Sequence, residues 1–163
     1  MTRLTAICSL SLFLAACATP APVAAEKAAA AAAVVVTASS RGFDETLAAV
    51  KAGAEKRGFT VFAVIDHAAG AAAAGETLRP MTLVVFGNPK GGAPLMRAAP
   101  TIGIDLPLKA LVYEDAAGGV VIATPDIVRL FGEHGLAGQE APKAKLRAAL
   151  AAIAAEAAGA GGD

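Results

Sequence analysis

Two short polar stretches interrupt an otherwise apolar chain, and each would support a different chemistry. Asp66-His67 closes an apolar run, and a carboxylate beside an imidazole can orient a general base or supply metal ligands. A metal role needs further donors. If the runs at 60–65 and 108–115 are strands of one antiparallel meander, their ends meet, bringing Glu114 and Asp115 towards His67. Asp66, His67 and Glu114 are therefore the candidate ligand- or metal-binding set. The plainer reading is a strand-end imidazole satisfied by backbone, with Asp66 capping the next segment.

The second stretch is Gly87-Asn88-Pro89-Lys90-Gly91-Gly92. Glycines ahead of a short helix free backbone N–H groups, so Asn88 and Lys90 are candidate anion-binding residues. The stretch lacks the spacing and the Lys-Ser/Thr ending of a Walker motif. Asn-Pro is also ordinary turn chemistry, and Lys90 alone is a solvated charge. In the same meander this loop lies at the opposite sheet end from His67, nearer Asp105. Within one chain the two motifs share no pocket; a homodimer would be needed to join them. Met96 beside Leu95 reads as core or groove lining. His134 suits the last turn of a helix, and Lys109 reads as a charge that protects a sheet edge. No Ser/His/Asp, HExxH or dinucleotide signature is present, so no catalytic residue is assigned and no cofactor is named.

The elements that must position these residues follow from pattern. Val34 to Thr37 is a short β-branched strand. Phe43, Leu47, Val50 and Ala54 share one helical face, with Asp44 and Glu45 in its first turn and Lys56 and Arg57 in its last. Gly58 supplies the left-handed stop and Phe59 the apolar contact after it. Thr60 to Ile65 reads as a central strand, 68–78 as a weak Gly-interrupted helix and loop, and Thr82 to Phe86 as a buried strand. A short helix within 91–101 presents Leu95 and Met96. From 108 the chain alternates, Leu108, Ala110 and Val112 against Lys109, Leu111 and Tyr113, then turns at 116–119 into Val120 to Thr124. Thr124-Pro125-Asp126 predicts N-cap, N1 and an acidic first turn, with Ile127, Leu130 and Phe131 inward and Gly135 as stop. From Pro142 an Ala-rich helix carries a thin stripe of Leu146, Leu150 and Ile153. This order predicts an α+β fold with a mainly antiparallel sheet and the main helices on one face.

At 163 residues the chain is one domain with appendages. Fourteen basic and fourteen acidic side chains cancel, so no net field steers it to nucleic acid or anionic lipid. Both cysteines, Cys8 and Cys17, fall in the first twenty residues, excluding a disulfide framework or a Cys-ligated metal from the folded part. Arg3 and the apolar run through Leu14 are too short to span ~30 Å of hydrocarbon and read as a signal peptide. Leu14-Ala15-Ala16-Cys17 resembles the lipobox of bacterial lipoproteins. That resemblance implies cleavage before Cys17, thioether-linked diacylglycerol on its sulfur and an acylated (palmitate-type) amine. Ala18 in place of Asp favours the outer membrane over the inner, facing the periplasm. The alternative is an ordinary secretory leader cut near Ala16 or Ala18. The expected organisation is a leader at 1–16, a lipidated Cys17 with an Ala/Pro-rich tether at 17–33, a domain at 34–136, and a C-terminal helix and tail at 137–163.

From about Ser39 to Leu136 the chain is similar to the domain-of-unknown-function family 302. The residues that carry this are Gly42-Phe43-Asp44-Glu45-Thr46, Val64-Ile65-Asp66-His67-Ala68, Phe86-Gly87-Asn88-Pro89-Lys90, Pro94-Leu95-Met96, Asp105-Leu106-Pro107-Leu108-Lys109 and His134-Gly135-Leu136. The resemblance implies a TBP-like β-α-β(4)-α fold and no activity. The chain departs from relatives after Val120, where Ala123-Thr124 replaces an aromatic, Asn-rich strand end. The expectation is an exported, lipid-anchored module that binds a small ligand or a partner and is not an enzyme. The alternative is a metal-binding protein or enzyme using His67 with a nearby carboxylate.

Overall fold

The structure, a computed structural model, describes residues 33–160, which lie in the compact unit Ala31–Asp163. The leader, Cys17 and the tether up to residue 32 lie outside the described residues. Strand β1 (Val34–Ala38) leads into helix α1 (Phe43–Lys56), then β2 (Thr60–Asp66), α2 (His67–Ala73) and β3 (Met81–Gly87). Helix α3 (Pro89–Ala98) and a 3-10 turn (Pro100–Ile104) precede β4 (Leu108–Glu114), β5 (Val120–Pro125), α4 (Ile127–Glu133) and α5 (Glu140–Ala157). The strands form one antiparallel sheet in the order β1-β5-β4-β3-β2. The α+β class and the β-α-β(4)-α order are thus as the sequence implied.

The period-two alternation of the strands sets the core. Thr82, Val84 and Phe86 of β3 point the same way as Leu108, Ala110 and Val112 of β4 and Ile122 of β5, and all are buried. Val50 and Ala54 of α1, Leu130 and Phe131 of α4, and Ile153 of α5 close over that face. Burying each Val, Leu, Ile or Phe side chain contributes roughly 1.5–3 kcal/mol. Helix α1 ends as expected: Gly58 takes φ +75, its N–H donates to the Glu55 carbonyl, and Phe59 N–H donates to the Ala54 carbonyl. The C-terminal helix docks, burying Leu150, Ile153, Ala154 and Ala157, so it belongs to the same folded unit.

Three local expectations are corrected. Thr60–Asp66 is an edge strand and not a central one. Val61 packs against the core and Phe62 lines a cleft described below, while Val64 and Ile65 stay exposed, so an apolar run alone does not tell an edge strand from a buried one. Lys109 is no edge charge, because β4 is the middle strand and is paired on both sides; its Nζ donates to the Asp105 carbonyl at 3.3 Å. Thr124 is not the N-cap of α4. It stays in β5 opposite Val35, buried, and Asp126 caps the helix by accepting from the Val128 and Arg129 N–H groups. A carboxylate two residues further on caps as well as a hydroxyl, which frees Thr124 for the ladder.

Candidate functional site

Antiparallel pairing divides the polar residues between the two ends of the sheet. One end carries Asp66, Glu114 and the 115–119 turn; the other carries Thr60, Gly87 and Leu108. At the second end, α3 and α5 form the walls of a cleft of about 860 Å³. That size lies within the usual range for small-molecule sites. Phe59, Phe62, Leu95, Leu106, Leu108 and Leu146 make its lining mainly apolar. Phe59 also packs edge-on against the fully buried Phe86, ring centroids 5.5 Å apart, which ties the cleft to the core.

The glycines shape this end. A Cβ on Gly87 would sit 3.2 Å from the Phe62 ring and 3.3 Å from Pro107, so a side chain there would push one of them back by a few tenths of an ångström. Gly91 lines the cleft, and a Cβ there would meet nothing within 4 Å. Along α5, Pro142, Lys145, Leu146 and Ala149 recur at i, i+3, i+4 and i+7, so one helical face forms the opposite wall.

The two anion-binding candidates play different parts. Asn88 is the N-cap of α3: its Oδ1 accepts from Lys90 N–H at 3.0 Å, and its Nδ2 donates to the Gly58 carbonyl at 3.0 Å. The Gly91 and Gly92 N–H groups both bond the Asn88 carbonyl, so the first turn keeps no free amide for an anion. Lys90 lines the cleft with no ion-pair or hydrogen-bond partner for its ammonium among the described residues, and so does Lys145 on the other wall. Arg57 lines the cleft too, but its guanidinium bonds Glu156 and the Gly53 carbonyl. That hydrogen bond holds the Glu156 carboxyl below the usual carboxylate range and raises Arg57.

At the far end, His67 is exposed and opens α2, while Asp66 Oδ1 accepts from Ala69 N–H at 2.9 Å as the N-cap. Asp115 accepts from the Ala117 and Gly119 N–H groups and so shapes its own turn. Glu114 does reach the same end of the sheet, but β3 runs between its strand and that of Asp66, a separation of roughly 9–10 Å for two strand spacings. Among the described residues no group of three or more His, Cys, Asp and Glu side chains is placed to hold a metal ion.

One polar cluster went unread in the sequence. His134 caps α4, yet its Nε2 lies 2.7 Å from Asp105 Oδ2 and its Nδ1 2.9 Å from Thr101 Oγ1. With the proton on Nε2, the ring donates to the carboxylate and accepts from the hydroxyl. The cluster fastens the 3-10 turn to the end of α4 and lies outside the cleft lining. No sequence signal links residues 29 and 33 positions apart in this way.

The chain is thus a five-stranded antiparallel α+β domain with an apolar, cation-rimmed cleft at one sheet end. A profile of the family described as "Domain of unknown function DUF302" matches residues 35–153, and the chain belongs to that family. The crystal structure of an uncharacterized conserved DUF302 protein from Bacillus stearothermophilus superposes with a TM-score of 0.70 at 22% identity, covering 76% of this chain and 97% of that one. Fluoride-specific ion channel FluC 1 of Brucella suis biovar 1 is 45% identical over 92 residues, 56% of this chain and 36% of the channel protein. FluC 2 of Brucella melitensis biotype 1 matches at the same identity over 34% of its length. The chain therefore spans about a third of these curated relatives. No helix among the described residues is long and apolar enough to cross a membrane.

Proposed function

We propose that this domain is a non-enzymatic binding module whose cleft between α3 and α5 takes up a small, predominantly apolar molecule. The observation that carries the reading is the cleft of about 860 Å³ lined by Phe59, Phe62, Leu95, Leu106 and Leu146. Phe62 and Met96 there are 51% and 39% exposed, apolar surface that a ligand would remove from water. The ion for which the Brucella channels are named is a poor fit to such a space, because a small, strongly hydrated anion gains nothing from an apolar lining.

The module works, on this reading, in the periplasm, exported and held on a membrane, the outer one favoured, through lipid on Cys17. Support comes from Leu14-Ala15-Ala16-Cys17 after an apolar run. Two or more acyl chains, at ~0.8 kcal/mol per buried CH₂, anchor durably.

The test is Gly91→Phe, which places a ring in open space at the cleft. An environment-sensitive apolar dye should bind the wild-type chain and lose at least tenfold in affinity for the variant, with the urea midpoint unchanged. Equal dye binding by both proteins would remove the cleft from the account. For the anchor, Cys17→Ser should release the protein from salt-washed membranes.

A further inference from the structure

Building on the cleft reading, we infer that the occupant is a single-chain amphiphile with an anionic head, a fatty carboxylate or an alkyl phosphate monoester. The charged residues lining the cleft are Arg57, Lys90 and Lys145, with no aspartate or glutamate among them. Glu156 accounts for Arg57, while Lys90 and Lys145 are left unpaired, one on each wall. A neutral chain as a whole thus presents an unbalanced positive rim at this one place, and like charge there excludes a cationic ligand. Among the described residues no carboxylate lines this apolar trough beside the two lysines, so the ligand itself supplies the compensating anion.

The lining favours a chain over a rigid disc. Residues 142 to 149 give a wall about 10 Å long at 1.5 Å per residue. Met96, unbranched with three rotatable bonds, borders it beside Leu95, Leu106 and Leu146 and adjusts to a flexible tail. The backbone amides at the start of α3 are all bonded, so the head group is held by ammonium side chains and not by a nest of N–H groups.

The experiment uses the full chain with the apolar dye as reporter. Dodecanoate, dodecyl phosphate, dodecanol and dodecylammonium compete below their micelle concentrations. Both anions should displace the dye at least tenfold more tightly than dodecanol, with dodecylammonium weakest. A Lys90→Gln, Lys145→Gln double variant should erase the advantage of the anions and leave dodecanol unchanged. Arg147→Gln, on α5 but outside the cleft lining, should behave as wild type. A tighter carboxylate assigns a free fatty acid, a tighter phosphate a phosphorylated lipid, and either supports the inference. Equal affinity for all four would overturn the anionic head while leaving an apolar cleft. Dye binding that no competitor reverses would overturn the amphiphile, and failure of the dye itself would overturn the cleft reading beneath it.

Discussion

The two ends of the sheet carry similar polar residues and use them differently. At the end holding His67, Asp66 and Asp115 each bond the N–H groups of their own turns, and the imidazole stands in solvent. At the other end Asn88 does the capping, and doing so leaves Lys90 free beside an apolar hollow. A conspicuous residue pair in a sequence is therefore a weak guide to a site. What makes a site is a gap between packed elements with polar groups left over, and the Lys90 end has both.

That contrast can be broken most forcefully through the helix that walls the cleft. Ile153 is fully buried, 3.6 Å from where a Cβ on Gly53 would lie. Ile153→Ala should lower unfolding stability by about 2–5 kcal/mol in urea titrations, the range for emptying a buried aliphatic site. At the opposite end His67→Ala should stay within about 0.5 kcal/mol of wild type. A large loss at His67 would show that this end is structurally tied in a way its exposure denies.

The two caps sharpen the comparison at smaller scale. Asn88→Ala removes the bond to Lys90 N–H and the link to Gly58, and should cost about 1–2 kcal/mol. Asp66→Ala removes one cap bond on a seven-residue helix with no buried side chain, and should cost at most about 1 kcal/mol. Equal losses measured by denaturant titration would deny the Gly58 link its part.

The Arg57–Glu156 pair adds a pH signature on the cleft side. The Glu156 carboxyl is lowered first by its hydrogen bond to Arg57, with the Arg57 and Lys56 charges adding to it. A carboxylate with a lowered folded-state value stabilises above its unfolded value of about 4.3 and loses that contribution as pH falls through the lowered one. Melting scans should show Glu156→Gln less stable than wild type at neutral pH, with the gap closing in acid. A gap independent of pH would mean that packing and not charge is what Glu156 supplies. Smallest of all should be the effect of zinc: with Asp66 bound to its own helix, Zn²⁺ at low micromolar concentration should leave the His67 ring resonances in place. A clear shift would restore the His67, Asp66 and Glu114 set as a metal centre.

Much of the fold was legible because local rules and burial agree. The alternation through Leu108, Ala110 and Val112 placed β4, and Gly58-Phe59 placed the end of α1. Legibility ended where the answer depends on distant partners. Whether 60–66 is central or at an edge is decided by which strands flank it, and an apolar run reads alike in both places. Asp126 displaced Thr124 as cap because the pairing with β1 claims Thr124. The cleft was half visible: Lys90 and Met96 were noticed in the sequence, but its other wall is a helix some fifty residues later whose docking no thin Leu146-Leu150-Ile153 stripe could decide. The Thr101-His134-Asp105 cluster depends on two elements meeting and left no mark on spacing.

Amide chemical-shift mapping during a dodecanoate titration shows directly which end of the sheet meets a ligand. Shifts should concentrate at Gly91, Gly92, Met96, Lys145 and Ala149 while Asp66 to Ala69 and Glu114 to Ala117 stay still. Shifts gathered around His67 and Glu114, with the α3 and α5 walls silent, would contradict it.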